Sequence, residues 1–100
     1  MRQRTMRISG AEKEILVNSI RQVDRNARIW LFGSRADDTK KGGDIDIAVL
    51  STRIRLPERM LIRRNIVDRL GEQKIDMVVS ADGTDPFFRI AVETGVRLDE

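Results

Sequence analysis

The chain has 100 residues, with 19 Lys plus Arg against 16 Asp plus Glu and a net charge of +3. It contains no cysteine and no histidine. That excludes a disulfide framework and a thiolate metal site, and removes the commonest general base and zinc ligand.

Any metal must therefore be held by oxygen, which favours magnesium, manganese or calcium. The length predicts a single domain over residues 1–100. The start, "MRQRTMRISG", is basic but lacks an apolar core, so it does not read as a secretory signal. No apolar run approaches the ~20 residues needed to span a bilayer. A cytoplasmic protein without a membrane partner is expected. Arginine outnumbers lysine, which suits bidentate contacts to phosphate or carboxylate and equally suits surface ion pairs.

In chain order, "MRI" at 6–8 could add a short edge strand. Ser9 followed by Glu12 fits a capping box and predicts a helix from about Gly10 to the stretch between Asp24 and Asn26. Leu16, Ile20 and Val23 give that helix its apolar side. "RIWLF" at 28–32 reads as a buried strand. "GSRADDTKKGG" at 33–43 reads as a loop with room for one helical turn. "DIDIAVL" at 44–50 is the second strand.

Pro57 suits the first turn of a second helix, which Gly71 should stop. Met60, Ile62, Ile66, Val67 and Leu70 form its wide apolar stripe, but Arg59 and Arg63 fall within it. Either the stripe is narrower or these arginines cover a partner surface. "KIDMVVS" at 74–80 is the third strand, and "PFFRIAVETG" at 86–95 is a final helix ended by Gly95. "VRLDE" is a tail with scope for a short pairing. The order predicts an α/β (α+β) domain: a small mixed β-sheet with helices packed on it.

Asp44 and Asp46 interrupt an apolar strand, where Asp is disfavoured. Alternate strand residues share a face, about 6.5–7 Å apart at Cα. Asp44, Asp46 and Ala48 therefore lie on one face, opposite Ile45, Ile47 and Val49. Asp76 lies on the corresponding face of the third strand. If the two strands are parallel neighbours, three carboxylates converge. Such a set could bridge two magnesium ions about 3.5–4 Å apart. Gly33 and Ser34 end the first strand beside them. Glycine lets a phosphate approach the backbone, and Ser34 offers a hydroxyl and an N–H. Arg35 adds a charged donor. Alone, a G-S turn or a D-x-D pair carries little information, and Lys40 and Lys41 read as a solvated loop. The ordered combination is far more specific.

The segments "LFGSRA" (31–36), "GDIDIAVL" (43–50) and "KIDMVV" (74–79), with "FFRIAVETGVRL" (87–98), resemble the minimal nucleotidyltransferase family of the DNA polymerase β-like superfamily. The resemblance implies the polymerase β-like nucleotidyltransferase fold. It also implies transfer of a nucleoside monophosphate from a nucleoside triphosphate, AMP from ATP for example, to a hydroxyl with release of pyrophosphate. It places Asp44, Asp46 and Asp76 at the metal, two Mg2+ ions with Mn2+ as an alternative. It assigns Gly33 and Ser34 to the phosphates, with Arg35 beside them. Such chemistry needs no histidine, because positioning and charge neutralisation carry it.

Stand-alone members of that family pair with a helical HEPN protein as toxin–antitoxin systems. The resemblance thus implies an antitoxin that adenylylates a tyrosine of a HEPN ribonuclease toxin. Arg59, Arg63, Phe87 and Phe88 are candidates for partner contact, although core packing competes strongly for the phenylalanines. Two other readings stay open. One is a catalytically silent module that neutralises its partner by occlusion. The other is an RNA-modifying nucleotidyltransferase. One Trp and three Phe make a poor stacking platform for nucleic acid.

Overall fold

The computed structural model describes residues 8–33 and 44–99. The elements run α1 (Gly10–Arg21), β1 (Arg28–Phe32), β2 (Ile45–Leu50), α2 (Leu56–Leu70), β3 (Ile75–Ser80), α3 (Pro86–Thr94) and β4 (Val96–Arg97). The four strands form one sheet in the order β3-β2-β1-β4. β1 pairs antiparallel with β2 and with β4, while β2 and β3 are parallel. The sheet is mixed, as expected from one short and one helical connection between strands.

Local chemistry sets the element ends. Ser9 Oγ accepts the Glu12 N–H and the Glu12 carboxylate accepts the Ser9 N–H, so the capping box of α1 is complete. The helix stops at Arg21, earlier than the sequence pattern predicts. Asp24 is instead buried in the following turn, where it accepts hydrogen bonds from the Ser51 hydroxyl and the Asn26 N–H. Pro57 sits in the first turn of α2, and Gly71 ends that helix at φ 86°. The tail pairing is real: Trp30 faces Arg97 and Leu31 faces Val96. The "MRI" segment and the loop at 34–43 lie largely or wholly outside the described residues.

The two sheet faces are covered differently. Leu16 and Ile20 of α1 and Ile62 and Ile66 of α2 pack on Ile29, Leu31, Ile45, Ile47, Val49, Ile75 and Met77. This is the main core. On the opposite face α3 sets Phe88 and Ala91 against Ala48, with Trp30, Phe32 and Val78 around them. Ala48 is small enough for α3 to lie close to the sheet. Trp30 and Phe88 meet edge to face at 5.7 Å between centroids.

The apolar stripe of α2 is narrower than the sequence suggests. Met60 is 65% exposed, whereas Ile62 and Ile66 are fully buried. Arg59 lies on the sheet side of the helix and donates from Nη2 to the Met77 carbonyl of β3. Arg63 is exposed.

A buried carboxylate closes the far edge. Asp99 Oδ1 accepts the Ile29 N–H at 2.8 Å, and its Oδ2 accepts from Arg97 and from Arg21 of α1. Burial alone would raise its pKa. The hydrogen bonds from Arg97 and Ile29, with the Arg97 charge, outweigh burial and hold it below the usual carboxylate value. Among the described residues, no helix is long and apolar enough to cross a membrane.

Candidate active site

The parallel register of β2 and β3 brings two of the sequence-predicted carboxylates together. Asp46 and Asp76 are direct Cα partners across the two strands. Asp46 is also the partner of Phe32 on β1. It therefore sits on an interior strand with a neighbour on each side. Asp44 precedes β2 by one residue and shares the Asp46 face. This face is the one α3 covers further along, so the carboxylates lie at the uncovered end of the α3 layer.

Electrostatics register the crowding. The Asp46 carboxyl is pushed above its ordinary pKa, first by burial, then by the charge and a hydrogen bond of Asp76, and then by Asp44. Lys74 acts in the opposite direction. Its ammonium lies 3.8 Å from Asp44 Oδ2, with both side chains largely open to solvent. Asp44 is thus close to both a lysine and the charge of Asp46. Among the described residues, no three acidic groups stand together as a ready metal cage. The pair Asp46–Asp76 is assembled across the ladder, and Asp44 has Lys74 as a neighbour.

The donor set nevertheless fits a hard divalent ion. All its atoms are carboxylate oxygens, and the repulsion that burdens Asp46 is what a cation between the groups would relieve.

Gly33 lies immediately beyond β1 at φ 71°, a conformation that disfavours any side chain. A Cβ at that position would collide with the Asp46 carboxylate. Glycine is favoured here by its backbone conformation, and any side chain would also displace the Asp46 carboxylate. Ser34 and Arg35 lie outside the described residues. Aromatic rings stand beside this position. Phe32 and Phe87 meet edge to face at 6.0 Å, and Phe87 remains 58% exposed. Phe88 is buried, so of the two phenylalanines only Phe87 offers a surface. Sequence reasoning missed the Lys74–Asp44 pair. Its one signal was a lysine two residues before Asp76.

A protein-family model described as "Polymerase beta, Nucleotidyltransferase" matches residues 14–99. No curated protein matches the chain.

Proposed function

The chain belongs to the polymerase beta nucleotidyltransferase family and so to the transferases, and on that premise we propose that it moves AMP from ATP to a protein hydroxyl. The acceptor in this reading is a tyrosine of a HEPN-type toxin, and the modification is how the chain acts as an antitoxin. The observation that carries the catalytic reading is the direct pairing of Asp46 with Asp76 on adjacent parallel strands, with the bare backbone of Gly33 against Asp46.

Asp44, Asp46 and Asp76 are the residues to hold magnesium, which supplies charge neutralisation on the triphosphate when bound. The roles of the chain's own groups follow from position. Gly33 leaves room for phosphate oxygens to reach the backbone, and Ser34 and Arg35 follow it in the chain as donors to them. Asp76, exposed at the rim, accepts the acceptor's hydroxyl proton on a carboxylate oxygen. The acceptor oxygen then bonds to the α-phosphorus. The bond from that phosphorus to the bridging oxygen breaks, and pyrophosphate leaves with the electron pair. Rigid strands hold the two central carboxylates more closely than a loop would.

The test is an NMR titration with a non-hydrolysable ATP analogue, with and without magnesium. Magnesium-dependent shifts at Gly33, Asp44, Asp46 and Asp76 are expected. No shift at millimolar nucleotide would overturn the reading for the isolated chain and favour a silent module that acts by occlusion. Transfer retained by Asp44→Asn would overturn the metal assignment.

A further inference from the structure

Helix α2 carries a second line of residues, beside its core-facing one, whose two apolar members nearest the helix start are left exposed. Leu56, Met60, Arg63 and Val67 are spaced four, three and four residues apart. That spacing lays them along one flank of the helix, about 16 Å long at 1.5 Å per residue. The core-facing line of the same helix is Ile62 and Ile66. Leu56 is 66% exposed and Met60 65% exposed, while Val67 at the far end is partly buried against the core. Two large apolar side chains one turn apart on an exposed flank cost solubility and add nothing to this core.

The charges around the line have one sign. Arg63 lies within it, Arg64 borders it, and Arg53 and Arg55 precede it, all exposed. Among the described residues neither Arg63 nor Arg64 forms an ion pair. Glu58 is occupied in capping the helix, where its carboxylate accepts the Arg55 N–H. The other acidic residue of α2, Asp68, points about 100° away from the line by helical geometry.

We propose that this flank is a docking seam for one amphipathic α-helix of a partner protein, with apolar residues at heptad spacing flanked by Glu or Asp. The spacing selects a helix, because the four-three-four pattern is the one that interlocks with a second helix. The charge selects an acidic one. A second copy of this chain fits poorly, since a two-fold pairing of identical seams would bury Arg63 and Arg64 against their own copies with no carboxylate between them. Phosphate-bearing polymers would use the arginines but leave Leu56 and Met60 unexplained. The seam lies on the helix layer opposite the aspartate face, so docking there leaves the carboxylates open. This inference does not depend on the catalytic reading.

The experiment uses a fluorescent three-heptad peptide with Leu at the core positions and Glu at the flanking positions, plus a twin with Lys for Glu. Anisotropy is expected to show binding of the Glu peptide only. Met60→Ser and Arg63→Glu should each weaken it by about tenfold or more. The double variant Arg63→Glu, Arg64→Glu should reverse the preference and bind the Lys peptide. Because these positions are exposed, unchanged melting curves check that each variant is folded. Glu-peptide binding indifferent to Met60→Ser would reduce the effect to general charge attraction and overturn the proposal. So would self-association abolished by Met60→Ser, or binding of anionic vesicles or RNA through these residues without peptide binding.

Discussion

Asp46 and Asp76 face each other as direct partners in a parallel ladder, and the Asp76 carboxylate adds to burial in making the Asp46 charge harder to bear. Opposed like charges on adjacent strands destabilise a sheet. With the folded-state pKa of Asp46 raised, the folded chain binds its proton more tightly than the unfolded chain. Stability from this group is present at low pH and is lost as pH rises from about the ordinary carboxylate value through the raised one. In EDTA, Asp46→Asn is therefore expected to melt slightly higher than the wild type at neutral pH. The gain should be below about 1 kcal/mol, because the side chain is partly open to screening water. The advantage should vanish below pH 4 or so. A melt in EDTA lower than wild type at pH 7 would contradict the repulsion.

Gly33 gives a second expectation. Gly33→Ala places a methyl group at a positive φ and against the Asp46 carboxylate. The cost should be about 1–2 kcal/mol in stability. Nucleotide binding should fall more steeply than stability does, since the substitution fills the approach to the carboxylates. Chemical denaturation and nucleotide titration of the same variant separate the two effects.

The two phenylalanines of α3 should behave oppositely. Phe88→Ala empties the small core beneath α3 and is expected to cost about 3–5 kcal/mol. It should also change the emission of Trp30, the only tryptophan, which packs against the Phe88 ring. Phe87→Ala loses one edge-to-face contact with Phe32 and should cost about 1 kcal/mol. Equal losses for the two variants would mean that the layer is packed differently.

Asp99 supplies the acid limb of the stability profile. Its pKa is lowered in the folded chain, so its contribution is present above the ordinary carboxylate value and is lost as pH falls through the lowered one. Asp99→Asn removes the charge that joins Arg97, Arg21 and the Ile29 N–H. A loss of about 2 kcal/mol at pH 7, shrinking towards pH 2, is expected from urea melts.

Much of this architecture could be read from local chemistry. Ser9 and Glu12, Pro57, Gly71 and Gly95 punctuate the helices, and the alternation around Asp44 and Asp46 assigns their face before any strand is paired. The membership of β3 in the same ladder needed only the expectation of a parallel neighbour. What stayed hidden depends on distance along the chain. Asp99 bonds Ile29 across 70 positions and Arg21 across 78, and nothing in "VRLDE" distinguishes it from a solvated acid. Asp24 reads as the end of a helix because its partner Ser51 lies 27 positions on. Met60 fitted an apolar period that turned out to belong to two flanks of one helix. The Lys74–Asp44 contact was equally invisible, because it exists only once β2 and β3 lie side by side.

The placement of β4 has a consequence for synthesis. β1 leaves the ribosome well before β4, yet one of its two edges is completed only by Val96 and Arg97, and its Ile29 amide only by Asp99. A nascent chain still lacking those residues presents β1 with an open edge and an unpaired buried N–H. The sheet therefore closes only after Val96, Arg97 and Asp99 have emerged. Until then a chaperone or a folding partner meets an unfinished surface.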